Sequence, residues 1–236
     1  MGEREPGYGS VVVRVGLTGT LGAGKSTVGK ALAARGAVLI DADQVARDVT
    51  APGSPGEKAV LQHFGERATA RSGPPGKTGQ LDRKTLADIV FSNPTERLAL
   101  EAITHPLIRA EVLRRVALAE SEALAESETL ADSQALADNQ VVVIEVPLLD
   151  KQRKLDYGLD VVVLIDAPED MAVQRAVGRG MTEMAARARM AAQPSGAERQ
   201  QLADRALVND GNLEDLEIAV DELWSWLLAK TPYGSG

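Results

Sequence analysis

The stretch GTLGAGKS, residues 19–26, decides the fold, because it matches the pattern G-x-x-x-x-G-K-[ST] at every fixed position. The glycines let the backbone curl around an anion so that its N–H groups point inward. A helix that begins here directs the positive end of its dipole at the same anion. In this pattern the lysine reaches the β and γ phosphates and the serine hydroxyl serves Mg²⁺. The residues predicted to bind ATP are Thr20, Leu21, Gly22, Ala23, Gly24, Lys25, Ser26 and Thr27, with Ser26 as the metal ligand.

Apolar runs on either side of this loop alternate with helical segments. Residues 11–17 form a short β-branched run before the loop, and residues 25–35 show helical spacing with a glycine just beyond. Strands that alternate with helices predict an α/β fold of three layers, α/β/α, with a parallel five-stranded sheet. In such sheets, ligands bind at the carboxyl ends of the strands. The other predicted strands are residues 37–40, 141–146, 161–165 and 206–208.

Composition limits the possible partners. The chain has 236 residues, a formal net charge of −8 and no cysteine. The acidic balance argues against a nonspecific nucleic-acid binder, and the absence of cysteine excludes disulfides and thiolate chemistry. No stretch has the length and apolar character of a signal peptide or a membrane span. We therefore expect a cytoplasmic enzyme for a small-molecule substrate, without nucleic-acid or membrane partners, as a monomer or weak homo-oligomer.

The order of segments predicts a core with two additions. Residues 51–140 are mostly helical, with capping signals at Ser54 and Asn93 and a Gly- and Pro-rich loop at residues 71–80. We expect this region to be a helical substrate subdomain. The predicted divisions are a nucleotide-binding core at 11–50, 141–180 and 203–230, a helical subdomain at 51–140, a lid at 181–202, and flexible tails at 1–10 and 231–236.

Residues 117–140 contain four near-copies of a six-residue unit, ALAESE, ALAESE, TLADSQ and ALADNQ. A period of six rotates leucine by about 120° around a helix at each repeat, so the leucines cannot share one face. The repeat predicts an acidic, Ala-rich helical extension or a partly disordered insert.

The residues around the loop favour a small-molecule kinase over other triphosphate-binding classes. A GTPase would carry an Asn-Lys-x-Asp segment, and residues 209–212 lack its lysine. A motor-type ATPase usually has an acidic strand end, of which Val143-Ile144-Glu145 is only a loose version. Asp41 and Asp43 end the second strand, beside the loop in such a sheet. They can orient a substrate hydroxyl or merely cap the next helix.

Arg175 and Arg179 stand four residues apart on one predicted helix face in an otherwise acidic protein. Fixed guanidinium charge suits polyphosphate and the charge that develops during transfer. The alternative is a solvated helix face with ordinary ion pairs, and it has more weight for Arg187 and Arg189 than for Arg175 and Arg179.

These residues together resemble the dephospho-coenzyme A kinase family. The similarity runs in order from about Val13 to about Leu228. The matching segments include GLTG at 16–19, DAD at 41–43, HFG at 63–65, LDR at 81–83, HPLI at 105–108, VPLL at 146–149, Gln193 and NDG at 209–211.

The resemblance implies ATP-dependent phosphorylation of the ribose 3′-hydroxyl of dephospho-coenzyme A, the last step of coenzyme A synthesis. It implies that Asp43 engages that hydroxyl, that Lys25, Ser26 and the loop amides hold ATP and Mg²⁺, and that Asn209 lies near the adenine. Arg175 and Arg179 would act from the lid side. The residues expected to bind substrate are Asp41, Asp43, Arg47, His105, Pro147 and Leu148.

Two features leave alternatives open. Asp150 and Lys151 stand where the family usually has an apolar residue and a glutamate, so Asp150 either substitutes or that contact is lost. His105, before a proline, suggests either a helix start or the wall of a substrate pocket. Another P-loop small-molecule kinase, with a nucleotide or sugar as acceptor, remains the alternative function.

Overall fold

The computed structural model describes residues 12–69, 79–129 and 141–231. Contacts between backbone segments divide the chain into two units, residues 42–114 and residues 1–41 with 115–236. The second of these holds the sheet and the phosphate loop, so we call it the strand unit, and the first the helical unit. The functional division into core, substrate subdomain and lid stays a prediction. The predicted tails, except Thr231, and most of the predicted loop at 71–80 lie outside the described residues.

A five-stranded parallel sheet forms the centre of the strand unit, which confirms the predicted fold class. Its order is β2-β3-β1-β4-β5, and every pair of neighbours is parallel. Because the strands run in the same direction, their carboxyl ends meet at one edge of the sheet, next to the loop that follows β1. The strands are β1 Val13–Gly19, β2 Val38–Asp41, β3 Val141–Glu145, β4 Val161–Asp166 and β5 Arg205–Val208.

Burial on both faces explains why these strands are apolar runs instead of alternating patterns. All five residues of β3 are buried, and so are the first five of β4. On one face, side chains of β1 such as Val15 and Leu17 share a core with the helices that follow β1 and β5. On the other face, Arg14 of β1 forms an ion pair of 2.6 Å with Glu120.

Ten α-helices occur among the described residues, and two of them, α3 and α5, begin directly after the predicted capping residues Ser54 and Asn93. Ser54 Oγ accepts the Glu57 N–H at 3.0 Å, while the Glu57 carboxylate accepts the Gly53 N–H instead of closing a capping box. No helix in this part of the chain combines the length and apolar character needed to cross a bilayer. The helices are α1 Lys25–Ala34, α2 Ala42–Val49, α3 Pro55–Phe64, α4 Arg83–Ser92, α5 Pro94–Thr129, α6 Lys151–Asp156, α7 Glu169–Gly178, α8 Glu183–Ala191, α9 Gly196–Leu202 and α10 Leu213–Leu228.

Helix α5 continues through His105 and Pro106, where the sequence suggests that a helix could start. His105 and Pro106 lie inside it, so the expectation of a helix start at His105 is wrong. The helix continues because Asn93 caps its beginning, with Oδ1 accepting the Thr95 N–H at 2.9 Å, and because apolar residues on both sides of the proline are packed. The loss of one backbone donor at a proline is therefore tolerated here.

The first half of the hexapeptide repeat, residues 117–129, continues α5, and residues 130–140 lie outside the described part of the chain. Leu118 and Leu124 are about half exposed, whereas Ala119 and Ala123 are buried. The buried face therefore follows the alanines at a spacing of four, as helical geometry requires, and not the leucines at a spacing of six.

Candidate functional site

The loop between β1 and α1 has a backbone that only glycine accommodates at two positions. Gly22 has φ 77° and Gly24 has φ 101°, in the left-handed region that side chains disfavour. A Cβ at Gly22 would lie 2.1 Å from the Ala172 carbonyl oxygen, and one at Gly24 would lie 2.4 Å from Nδ2 of Asn209. The glycines thus allow close packing of the loop against its surroundings as well as its curvature.

A short hydrogen-bond chain holds the outer side of this loop. Asn209, buried just after β5, donates from Nδ2 to the Ala23 carbonyl at 2.8 Å. Arg175 of α7 donates to the Asn209 carbonyl at 3.1 Å and to its Oδ1 at 3.3 Å. The arginine fixes which way the Asn209 amide faces, and Asn209 in turn fixes the loop at Ala23. This bracing role of Asn209 is additional to the adenine contact that the resemblance implies.

Lys25 and Thr20 present polar groups within the same loop. The Lys25 ammonium donates to the carbonyls of Gly19 and Thr20 at 3.3 and 3.4 Å, distances at which these bonds are weak. The Thr20 hydroxyl is buried and has no hydrogen-bond partner among the described residues. A buried polar group without a partner is uncommon, and it calls for an explanation such as a ligand.

Glu145 is the functional candidate that the sequence did not predict. It ends β3, is 7 % exposed, and accepts a hydrogen bond of 2.8 Å from Ser26 Oγ. The Ser26 hydroxyl, which is expected to bind Mg²⁺, is therefore hydrogen-bonded to the Glu145 carboxylate. The signal was present, as an acidic residue directly after four buried apolar residues. The sequence alone does not show that β3 adjoins the loop strand, and only that placement brings Glu145 to Ser26.

A cavity of about 270 Å³ lies beside the loop in the strand unit. Arg175, Arg179 and Asn209 line it together with Gly24 of the loop and Thr27 of α1, so the structure brings these predicted residues together. Arg179 is exposed, and its guanidinium makes no hydrogen bond or ion pair with any residue of the described ranges. The remaining lining residues are Gly211, Asn212, Leu213 and Leu216.

Arg187 has a structural role, in keeping with the alternative given for it. It forms ion pairs with Glu169 at 2.7 Å, Glu183 at 3.0 Å and Asp170 at 3.1 Å, which tie α8 to the start of α7. Hydrogen bonds to Glu183 and Asp170 raise the pKa of its guanidinium. Arg189 is exposed on the same helix.

The sequence predicts that Asp41 ends a strand next to the loop strand, and this prediction is wrong. β3 lies between β1 and β2, and Asp41 is in register with Glu145. With strands spaced about 4.8 Å apart, β2 is about 10 Å from β1. The sheet edge therefore presents two acidic residues in a row, Glu145 nearer the loop and Asp41 beyond it.

The other predicted substrate residues fall in different places. Asp43 and Arg47 lie on α2 and His105 is exposed on α5, all in the helical unit, and their convergence on substrate stays a prediction. Pro147 and Leu148 follow β3 in the strand unit, with Leu148 49 % exposed.

Asp150 is a helix cap in the structure. Its carboxylate accepts the Arg153 N–H at 2.7 Å at the start of α6 and forms an ion pair of 2.7 Å with the Arg153 side chain. These contacts account for an aspartate at this position without requiring a ligand.

Comparison with known proteins gives consistent matches over nearly the whole chain. The family model CoaE, dephospho-CoA kinase, matches residues 13–215. A dephospho-CoA kinase of Frankia casuarinae is 44 % identical over 217 residues, covering 92 % of this chain and 84 % of that protein. One of Streptomyces avermitilis is 42 % identical over 220 residues, covering 92 % and 95 %.

Solved structures agree with the sheet and its helices. The Thermus thermophilus protein TT1252 superposes with a TM-score of 0.67 at 30 % identity, covering 92 % of this chain and 98 % of that one. A dephospho-CoA kinase from Campylobacter jejuni gives a TM-score of 0.58 at 23 % identity, with the same coverage, and shows the shared fold.

Proposed function

The chain belongs to the dephospho-CoA kinase family, and from that premise we propose that it transfers the γ-phosphoryl group of ATP to the ribose 3′-hydroxyl of dephospho-coenzyme A. The bond between the γ-phosphorus and the β–γ bridging oxygen breaks, and a bond from the γ-phosphorus to the 3′-oxygen forms. The hydroxyl proton is released, and the products are ADP and coenzyme A. This reaction completes coenzyme A synthesis.

The observation that carries the proposal is the construction of the loop. Its glycine backbone is held by Asn209, its lysine ammonium lies within the loop beside the carbonyls of Gly19 and Thr20, and its Thr20 hydroxyl is buried without a described partner. A triphosphate supplies acceptors for the ammonium, the hydroxyl and the inward N–H groups at once. Phosphoryl transfer needs mainly such positioning and charge stabilisation, which fits a site with little covalent chemistry of its own.

The residues present fit Mg²⁺ as the ion that accompanies ATP. Ser26 Oγ and Glu145 offer hard oxygen ligands 2.8 Å apart, and Mg²⁺ is usually bound by one or two carboxylates together with substrate phosphates and water. Within the described ranges no group of three or more acidic, histidine or cysteine residues forms a metal cage. When bound, Mg²⁺ neutralises charge on the β and γ phosphates. Ser26 would hold it directly and Glu145 would orient Ser26 or share the ion through water.

Asp43 is the residue that we assign to the acceptor hydroxyl. It lies in the first turn of α2, two positions after the last residue of β2. A carboxylate that accepts a hydrogen bond from the 3′-hydroxyl aims its oxygen at phosphorus. Because the transition state is loose, little proton transfer is needed early, so orientation is the larger part of this role.

Arg179 and Arg175 complete the phosphate side. Arg179 lines the cavity beside the loop and provides a guanidinium for phosphate or base. Arg175 acts through Asn209, whose position it fixes. Arg47, His105, Pro147 and Leu148 remain our candidates for contacts to the coenzyme A portion, and cytoplasmic location and a monomer or weak homo-oligomer remain expectations.

An acceptor panel with product analysis tests the proposal. Purified protein is incubated with Mg-ATP and dephospho-coenzyme A, AMP or gluconate, and products are separated and examined by phosphorus NMR. We expect equal amounts of ADP and coenzyme A, with the new phosphate on the 3′-oxygen. Transfer to AMP or gluconate without transfer to dephospho-coenzyme A would instead favour another small-molecule kinase.

A further inference from the structure

One backbone donor of the phosphate loop is already engaged. The Leu21 N–H donates to Oε1 of Gln193 at 3.1 Å, across a separation of 172 residues. Gln193 lies between α8 and α9 and is partly buried. Because the donor is an N–H, only the carboxamide oxygen can accept it, so the orientation of the Gln193 side chain is fixed by this bond.

The Leu21 side chain is held by the same part of the structure. It packs against an apolar cluster formed by α7, α8 and the turn between them. Both the backbone and the side chain of one loop residue are therefore attached to the helices that follow β4. The cluster consists of Val173, Ala176 and Ala186, with Met181, Met190 and Leu21 packed against it.

Fixing Leu21 also fixes the direction of the loop beyond it. Residues 22–27 carry the N–H groups that are expected to face the triphosphate, and they start immediately after the tethered residue. The loop is braced again at Ala23 by Asn209. The segment from Leu21 to Ala23 is thus held at both ends by side chains from outside the loop. Misplacement of a catalytic contact by about 1 Å can cost roughly a hundredfold in rate, so such bracing bears directly on transfer.

We propose that Gln193 is a positioning residue for phosphoryl transfer, which accepts the Leu21 N–H both before and after ATP binds and thereby holds residues 181–202 against the phosphate loop. The proposal rests on the kinase function proposed above. It assigns the Leu21 N–H to Gln193 and not to a phosphate oxygen, while the N–H groups from Gly22 onward remain available to the nucleotide. Gln193 does not itself touch substrate in this account.

Hydrogen exchange at the Leu21 amide tests the contact without any turnover. The variants are Gln193→Met, which keeps the length of the side chain and removes the acceptor, and Gln193→Glu, which keeps an acceptor oxygen. Gln200→Met is the matched control, because Gln200 is exposed on α9 and its side chain makes no hydrogen bond with the described residues. Exchange is followed in protein labelled with ¹⁵N-leucine, with and without a non-hydrolysable ATP analogue.

We expect Gln193→Met to raise the Leu21 exchange rate roughly five- to tenfold in both states, as loss of one net hydrogen bond implies. Gln193→Glu should retain protection in the unliganded protein, and the control should match wild type. If the ATP analogue alone restored full protection in Gln193→Met, the amide would serve phosphate and the inference would be wrong. Unchanged exchange in Gln193→Met would also overturn it.

Kinetics then separate this inference from the kinase function itself. With dephospho-coenzyme A as acceptor, Gln193→Met should lower kcat roughly five- to tenfold while KM for the acceptor changes by less than about twofold. Wild-type activity together with an unchanged kcat in Gln193→Met would refute the positioning role and leave the function intact. An inactive wild type would refute the function, while the exchange result would still decide the contact.

Discussion

Replacing Glu145 by glutamine should raise the Mg²⁺ requirement of the enzyme. Glutamine keeps the shape of the side chain and an oxygen that can accept the Ser26 hydroxyl, so the change removes charge with little loss of packing. Glu145 is only 7 % exposed, and its distance to Ser26 Oγ is 2.8 Å. Its negative charge is therefore screened little by solvent, and it increases the affinity of the site for a cation bound beside Ser26.

The size of the effect follows from that contact. Hydrogen bonds to charged groups contribute about 1.5–3 kcal/mol, and loss of such a contribution corresponds to roughly a 10- to 150-fold change in an equilibrium constant. We expect the Mg²⁺ concentration at half-maximal rate to rise by a factor in that range. The affinity for ATP measured without Mg²⁺ should fall little or even rise, because the substitution removes a negative charge near the phosphates.

The assay is ADP release with dephospho-coenzyme A across a Mg²⁺ titration at fixed ATP, with ATP affinity measured separately in the presence of a chelator. Glu222→Gln is the matched control, since Glu222 is exposed on α10 in the strand unit. A Glu145→Gln enzyme with the Mg²⁺ dependence of wild type would refute the reasoning. So would an equal loss of ATP affinity with and without Mg²⁺, which would indicate a distorted loop.

Other variants test the remaining parts of the site. Asp43→Asn should lower turnover by roughly a hundredfold or more, since it removes the carboxylate that orients the acceptor, while the Kd for ATP stays within about twofold; normal turnover would exclude that role. Lys25→Ala should weaken ATP binding roughly 10- to 100-fold by loss of charge-assisted contacts and lower turnover as well, as calorimetry and kinetics would show. Gly24→Ala places a side chain at φ 101° and 2.4 Å from Asn209, so ATP affinity should fall more than about tenfold while circular dichroism shows a folded protein; full affinity would mean that the loop tolerates a Cβ.

The sheet is predictable from the sequence because its most buried strands, β3 and β4, are almost entirely apolar. Residues 141–146 and 161–165 are continuous runs of Val, Leu and Ile apart from Glu145, and the structure buries both faces of them. The loop was predictable because its glycines and lysine are needed at fixed spacing. Both patterns depend on residues that are close together in the chain, so a single sequence is enough to detect them.

The order of the strands was not predictable in the same way. Nothing in residues 141–145 indicates that β3 lies between β1 and β2, and that placement is what brings Glu145 to Ser26. Long-range contacts such as that of Gln193 with Leu21 also leave no local pattern. His105 shows the opposite error, in which a local rule about proline was overridden by packing along α5.

The most direct measurement is the rate of ADP release from Mg-ATP with and without dephospho-coenzyme A, followed through a coupled assay. We expect slow ADP release from ATP alone and a saturable increase as dephospho-coenzyme A is added, with coenzyme A formed in equal amount. Release that is the same in both conditions, or ATP binding with no transfer to this acceptor, would contradict it.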